Sequence, residues 1–183
     1  RIEYLKPFYL MIDQLWHDIN LRNDKIDVSG GSYIFNIPSF NEEVIREAIN
    51  NAVAHRDYRR TSETFVLQYP NKLVVKNMGG FPLGVSKENL LRIQSTPRNR
   101  LMADVLSKTG IVERSGQGVD KIFRNMLSEG KEGPDYSFSD EFRVELHLSA
   151  VVKDVAFAQF ISSEQLELSE EERLSVFEVL ALY

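Results

Sequence analysis

The chain has 183 residues, 43% of them hydrophobic and 27% charged, which are the proportions of one globular domain plus at most part of a second. No apolar run approaches the ~20 residues of a membrane-spanning helix, and the absence of cysteine excludes a disulfide scaffold or a thiolate metal site and fits a reducing, cytoplasmic setting. With 22 basic against 27 acidic residues, the net charge of −5 has the wrong sign for a domain that grips nucleic acid unaided.

The first residue is Arg1 rather than methionine, so a piece of a longer protein is expected. Leu5, Phe8, Tyr9, Ile12, Leu15, Trp16 and Ile19 recur at helical spacing and predict an amphipathic first helix, with Trp16 in the core and His17 on the polar side. Residues 25–29 and 32–37 read as strands around the hairpin signal Gly30-Gly31. Pro38 ends the second strand, and Ser39 or Asn41 can cap a helix running from Glu42 to about Arg56. Its apolar set is Val44, Ile45, Ala48, Ile49, Ala52 and Val53.

Residues 64–69 and 73–77 form a second strand pair around Pro70-Asn71, followed by a Gly/Pro-rich loop over 78–84 and short helical pieces up to Lys108. Another helix is predicted from about Gly118 to Ser128. Residues 142–148 alternate cleanly, with Phe142, Val144, Leu146 and Leu148 on one face and His147 on the solvent side. Paired with 136–138, this strand would close the sheet. Hairpins outnumber crossovers, so the expected fold is α+β, a two-layer sandwich of a mixed, mostly antiparallel sheet with helices on one face. Residues 151–167 carry no clear period and read as a linker. A capping box at Ser169-Glu-Glu-Glu172 then opens a C-terminal helical extension.

Three stretches carry candidate chemistry. Glu47, Asn51 and His55 are spaced by four and line one edge of the second helix. A solvated helix face is the plain alternative. Against it, asparagine costs about 0.5 kcal/mol relative to alanine in a helix, and Asn50 and Asn51 sit side by side in its middle. The second stretch is a strand that ends in Asn77-Met-Gly79-Gly80, where glycines let backbone approach a ligand; a simple turn is the alternative. The third is Gly116-Gln-Gly118 ahead of a helix, where free amides and the positive dipole end can receive a phosphate, or where a flexible loop merely enters a helix.

In order and spacing these stretches resemble the N box and the two glycine boxes of the GHKL, or Bergerat-fold, ATPases. More closely, Glu47-Ala-Ile-Asn-Asn-Ala-Val-Ala-His-Arg-Asp-Tyr58, with Thr96-Pro-Arg-Asn-Arg-Leu-Met-Ala-Asp-Val-Leu106 and Gly110-Ile-Val-Glu-Arg-Ser-Gly-Gln-Gly118, resembles one divergent branch. That branch is the ATPase-like domain of bacterial transcriptional regulators and RecG-related ATP-dependent DNA helicases, and the resemblance covers roughly residues 1–150.

The resemblance implies ATP and Mg2+ as ligands. Glu47 would polarise the attacking water and Asn51 would hold the metal. Asn51, Asn77, Gly79, Gly80, Gly116 and Gly118 would contact nucleotide, joined by His55 and Arg56 unless these only cap the helix. It also implies flanking modules outside this chain, an AlbA-like domain before it and a winged helix beginning within 151–183, which would hold DNA. The apolar helix from Ser169 to Tyr183 would pack on the domain or on a second copy, giving a homodimer.

Departures from the family pattern bear on hydrolysis more than on binding. Ala54 stands where an acidic residue often follows, Asn77 replaces the usual aspartate, one glycine-box residue is missing between Gly79 and Gly80, and the lid is short. The expected function is an ATP-binding regulatory domain of a bacterial DNA-binding transcriptional regulator. The alternatives are the ATP-hydrolysing domain of a RecG-related helicase-like protein and an assembly scaffold that binds no nucleotide. No P-loop is present in the sequence, so no strand translocation is expected from this chain.

Overall fold

The computed structural model describes residues 1–30, 33–93, 97–110 and 118–164. The chain runs α1 (Phe8–Asn20), β1 (Lys25–Gly30), β2 (Tyr33–Pro38), α2 (Glu42–His55), β3 (Phe65–Gln68), β4 (Lys72–Met78), α3 (Arg100–Lys108), α4 (Gly118–Ser128), β5 (Arg143–Ser149) and α5 (Val155–Glu164). Among the described residues no helix is long and apolar enough to cross a membrane. Gly116 and the helix expected from Ser169 lie outside the described residues.

β3, β4 and β5 form one antiparallel sheet with β4 in the middle, and β1–β2 form a separate antiparallel hairpin. Alternation along β4 sends Leu73, Val75 and Asn77 to one face. Their partners on β5 are Leu148, Leu146 and Val144. Against Leu73, Val75, Leu146 and Leu148 pack Val44, Ile45, Ala48, Ile49 and Ala52 of α2, Ile12 and Ile19 of α1, and Ile122 and Met126 of α4. Each valine, leucine, isoleucine or methionine among them contributes roughly 1.5–3 kcal/mol when fully buried. This apolar layer fixes α2 over the sheet, and so it fixes the α2 edge that bears Glu47 and Asn51. The α+β sandwich expected from the sequence is the architecture observed.

Two details differ from expectation. Residues 136–138 form no strand, with a turn at 137–138, and among the described residues the backbone bridge Asp135↔His147 replaces the expected ladder with β5. The Asp135 side chain accepts from the Ser137 N–H at 2.7 Å, an Asx-turn that diverts the backbone from the ladder. Val155–Glu164, where the sequence shows no period, is a helix. Six of its first seven residues are apolar, which leaves too little polar contrast for a helical period to show. Ala158 packs with Val28 and Ile37 of the hairpin.

Candidate nucleotide site

The N-terminal cap of α2 is Asn41, whose side chain accepts from the N–H groups of Glu43 and Val44. From that anchored start the helix carries Glu47 and Asn51 one turn apart, and Asn51 Nδ2 donates to Glu47 Oε1 at 3.0 Å. Gly118, the first residue of α4, lies directly against this pair. A Cβ there would collide with Glu47 Oε1, sit 2.7 Å from its Cδ, and sit 3.4 Å from Asn51 Nδ2. The structure therefore joins two of the three candidate stretches, and a side chain at position 118 would have to push the Glu47 carboxylate aside. Glu47 also acts on Tyr136: burial first, and the Glu47 charge second, hold that phenol well above its ordinary value. The Tyr136 ring lies 5.9 Å from Phe81, centroid to centroid.

The remaining stretch, the second in chain order, arrives through β4. Asn77 is 5% exposed on the helix-facing side of the sheet, and its Nδ2 has no hydrogen-bond partner. Gly79 adopts φ +93°, and a Cβ there would come within 2.8 Å of the Asp57 Cβ. Beside it the Asp57 N–H donates to the Met78 carbonyl at 2.8 Å, so the exit of β4 is stitched to the exit of α2. Asp57 is buried and receives Arg59 Nε at 2.9 Å. The Arg59 side-chain and backbone bonds hold its carboxyl far below the usual carboxylate range.

The sequence suggests that cations of the 55–60 stretch cap the C-terminus of α2. The structure assigns most of that work to two other residues. Asn99 Nδ2 donates to the carbonyls of Ala54 (2.9 Å) and Arg56 (2.7 Å), and Arg98 Nε donates to that of His55 at 3.0 Å. A second Arg98 nitrogen donates to the Gly80 carbonyl. Burial, assisted by the Arg98 charge, lowers the affinity of His55 for its proton, which favours a neutral ring over a dipole-capping cation. His55 Nδ1 and Arg56 Nε are buried without partners. Ala54 packs in an apolar cluster with Val53 and Leu106, flanked by Phe8 and Met102. A carboxylate at that position would be desolvated without a counter-charge, which accounts for the departure there.

Arg98, Asn99, Phe81 and Tyr136 are the residues that motif reasoning passes over. Arg98 and Asn99 lie in a quoted motif, but their partners at the α2 terminus are backbone carbonyls more than forty residues away, so nothing local marks them. No group of three or more His, Asp or Glu able to hold a metal is found among the described residues. Mg2+ tolerates so sparse a donor set, because it keeps several waters and takes phosphate oxygens as ligands.

Residues 62–146, from just before β3 into β5, match the family model described as "Putative ATP-dependent DNA helicase recG C-terminal". Over that span the chain resembles RecG-related, ATPase-like domains. A solved structure, the DIP2311 protein from Corynebacterium diphtheriae, superposes with a TM-score of 0.80 at 27% identity. The superposition covers 99% of this chain and 37% of that one, so this chain spans little more than a third of that protein's length. No curated protein matches the sequence.

Proposed function

We propose that the cleft between the Glu47–Asn51 edge of α2, the end of β4 and the start of α4 binds a magnesium nucleotide of the ATP class. In this reading the domain serves as a nucleotide-responsive regulatory unit of a DNA-binding transcriptional regulator. One observation carries it: the Gly118 backbone at the start of α4 is pressed against the Glu47 and Asn51 side chains of α2, about 70 residues earlier in the sequence. The start of α4 offers positive dipole potential to phosphate, Asn51 would hold the metal, and Asn77 would meet the base. Bound Mg2+ would neutralise phosphate charge. DNA would be held by modules outside this chain, and residues 169–183 would pack on the domain or on a second copy.

A fluorescent ADP analogue with Mg2+ tests the site. Asn51→Ala is expected to weaken binding by about 1–3 kcal/mol, the range for a lost hydrogen bond to a charged group. Equal affinity in that variant would refute the assignment.

The hydrolysing reading draws on the same helix, because Glu47 sits one turn from Asn51 and is the acid best placed to take a proton from a water. Phosphate release that disappears in Glu47→Gln while binding persists would favour it. Binding with no release in the wild type favours the regulatory reading.

A further inference from the structure

Asn77 stands near the end of the central strand, β4, with a polar side chain for which the described residues supply no partner. It faces the helices beyond Val75, opposite Val144, and neither neighbour offers a polar side chain. Nδ2 has no partner, and no described group holds the amide in one orientation. A buried donor left unpaired is costly and uncommon, so its complement is to be sought in a ligand. The loop leaving β4 carries Phe81, whose ring packs on Tyr136, and Tyr136 in turn feels the Glu47 charge. Phe81 and Tyr136 thus connect the loop that follows Asn77 with Glu47, at the end proposed for metal and phosphate.

We infer that Asn77 makes the cleft accept 6-oxopurine (guanine) nucleotides about as well as adenine nucleotides, an inference that rests on the nucleotide reading above. A carboxamide presents one acceptor and one donor side by side. Adenine offers an amino donor next to the N1 acceptor, and guanine offers the O6 acceptor next to the N1–H donor. The two edges are complementary to the same amide in opposite orders. A half-turn about the last side-chain torsion exchanges Oδ1 and Nδ2, and in Asn77 that exchange breaks no protein hydrogen bond. A carboxylate at this position can only accept, so it would take the adenine amino group and repel the guanine O6.

Calorimetric titration of the 183-residue protein with Mg-ADP and Mg-GDP reads this directly. Dissociation constants within about threefold of one another are expected for the wild type. Asn77→Asp is expected to weaken GDP by about tenfold or more relative to ADP. Asn77→Leu, which keeps the branched shape with somewhat more bulk and removes both polar atoms, should weaken the two nucleotides by similar factors and covers the case in which the buried carboxylate prevents folding. A wild type that prefers ADP by more than tenfold, or an Asn77→Leu variant that binds both as tightly as wild type, would overturn the inference while leaving nucleotide binding intact. Absence of heat with both nucleotides would instead overturn the nucleotide reading and this inference with it.

Discussion

The two halves of α2 put polar residues to opposite uses. In the first half, Asn41 caps the helix and donates to Glu129 at 2.5 Å, Glu43 receives Asn125 at 3.0 Å, and Arg46 bonds Glu42 at 2.7 Å and Asp13 at 2.8 Å. These polar groups are consumed by the fold. In the second half, His55 Nδ1 and Arg56 Nε are buried and unpartnered, as is Asn77 Nδ2 on the neighbouring strand. An unsatisfied buried group costs about 1–3 kcal/mol, and here three fall at the same end of one helix–strand seam. The contrast separates polar residues whose bonds the fold satisfies from buried polar atoms that it leaves unmet, which the proposed function assigns to a ligand.

Three substitutions or conditions sharpen that contrast. The largest effect is expected at the clamp. Asn99→Leu removes both bonds to the α2 terminus and leaves two carbonyls unmet, so chemical denaturation should show a loss of about 2–3 kcal/mol. A loss under half that would mean that solvent replaces the clamp. Next is Gly118→Ala: the methyl must displace the Glu47 carboxylate, so nucleotide affinity should fall by about tenfold or more with little change in melting temperature. Unaltered affinity would separate α4 from the site.

The smallest effect is one of pH. His55 holds its proton less tightly folded than unfolded, so below its ordinary value of 6.5 the unfolded chain binds more protons. The stability tied to a neutral His55 is thus complete above about pH 6.5 and is lost as pH falls through the lower folded value. His55→Gln should flatten that part of the stability–pH curve, and an identical curve in the variant would place the titration elsewhere.

Much of the frame was legible because it depends on local chemistry. Asn41 as a cap, the apolar stripe of α2, the alternation of β5 and the glycine at the start of α4 are all written in neighbouring residues. Glu47 and Asn51 were legible as one edge for the same reason. What stayed hidden depends on distant partners. Arg98 and Asn99 acquire meaning only once the carbonyls of Ala54, His55 and Arg56 fold back to them. His147 does lie on the sheet face away from the core, yet it bonds Glu145 at 2.8 Å and stacks on Phe138 at 4.4 Å, a cover that strand alternation cannot anticipate. α5 escapes sequence reading because Val155, Ala156, Phe157, Ala158, Phe160 and Ile161 fill all but one of its first seven positions, and its other polar residues come at the very end.

The two ends of α2 can be tested against each other in one paired measurement. Calorimetry with Mg-ADP and thermal melting would be run on the wild type, Asn41→Ala and Asn51→Ala. Asn41→Ala should lower stability by about 0.5–2 kcal/mol and keep the wild-type affinity. Asn51→Ala should keep the melting temperature and lose affinity. Loss of affinity in Asn41→Ala alone, or no heat of binding in any of the three proteins, would contradict the assignment of the Asn51 end of α2 to a ligand.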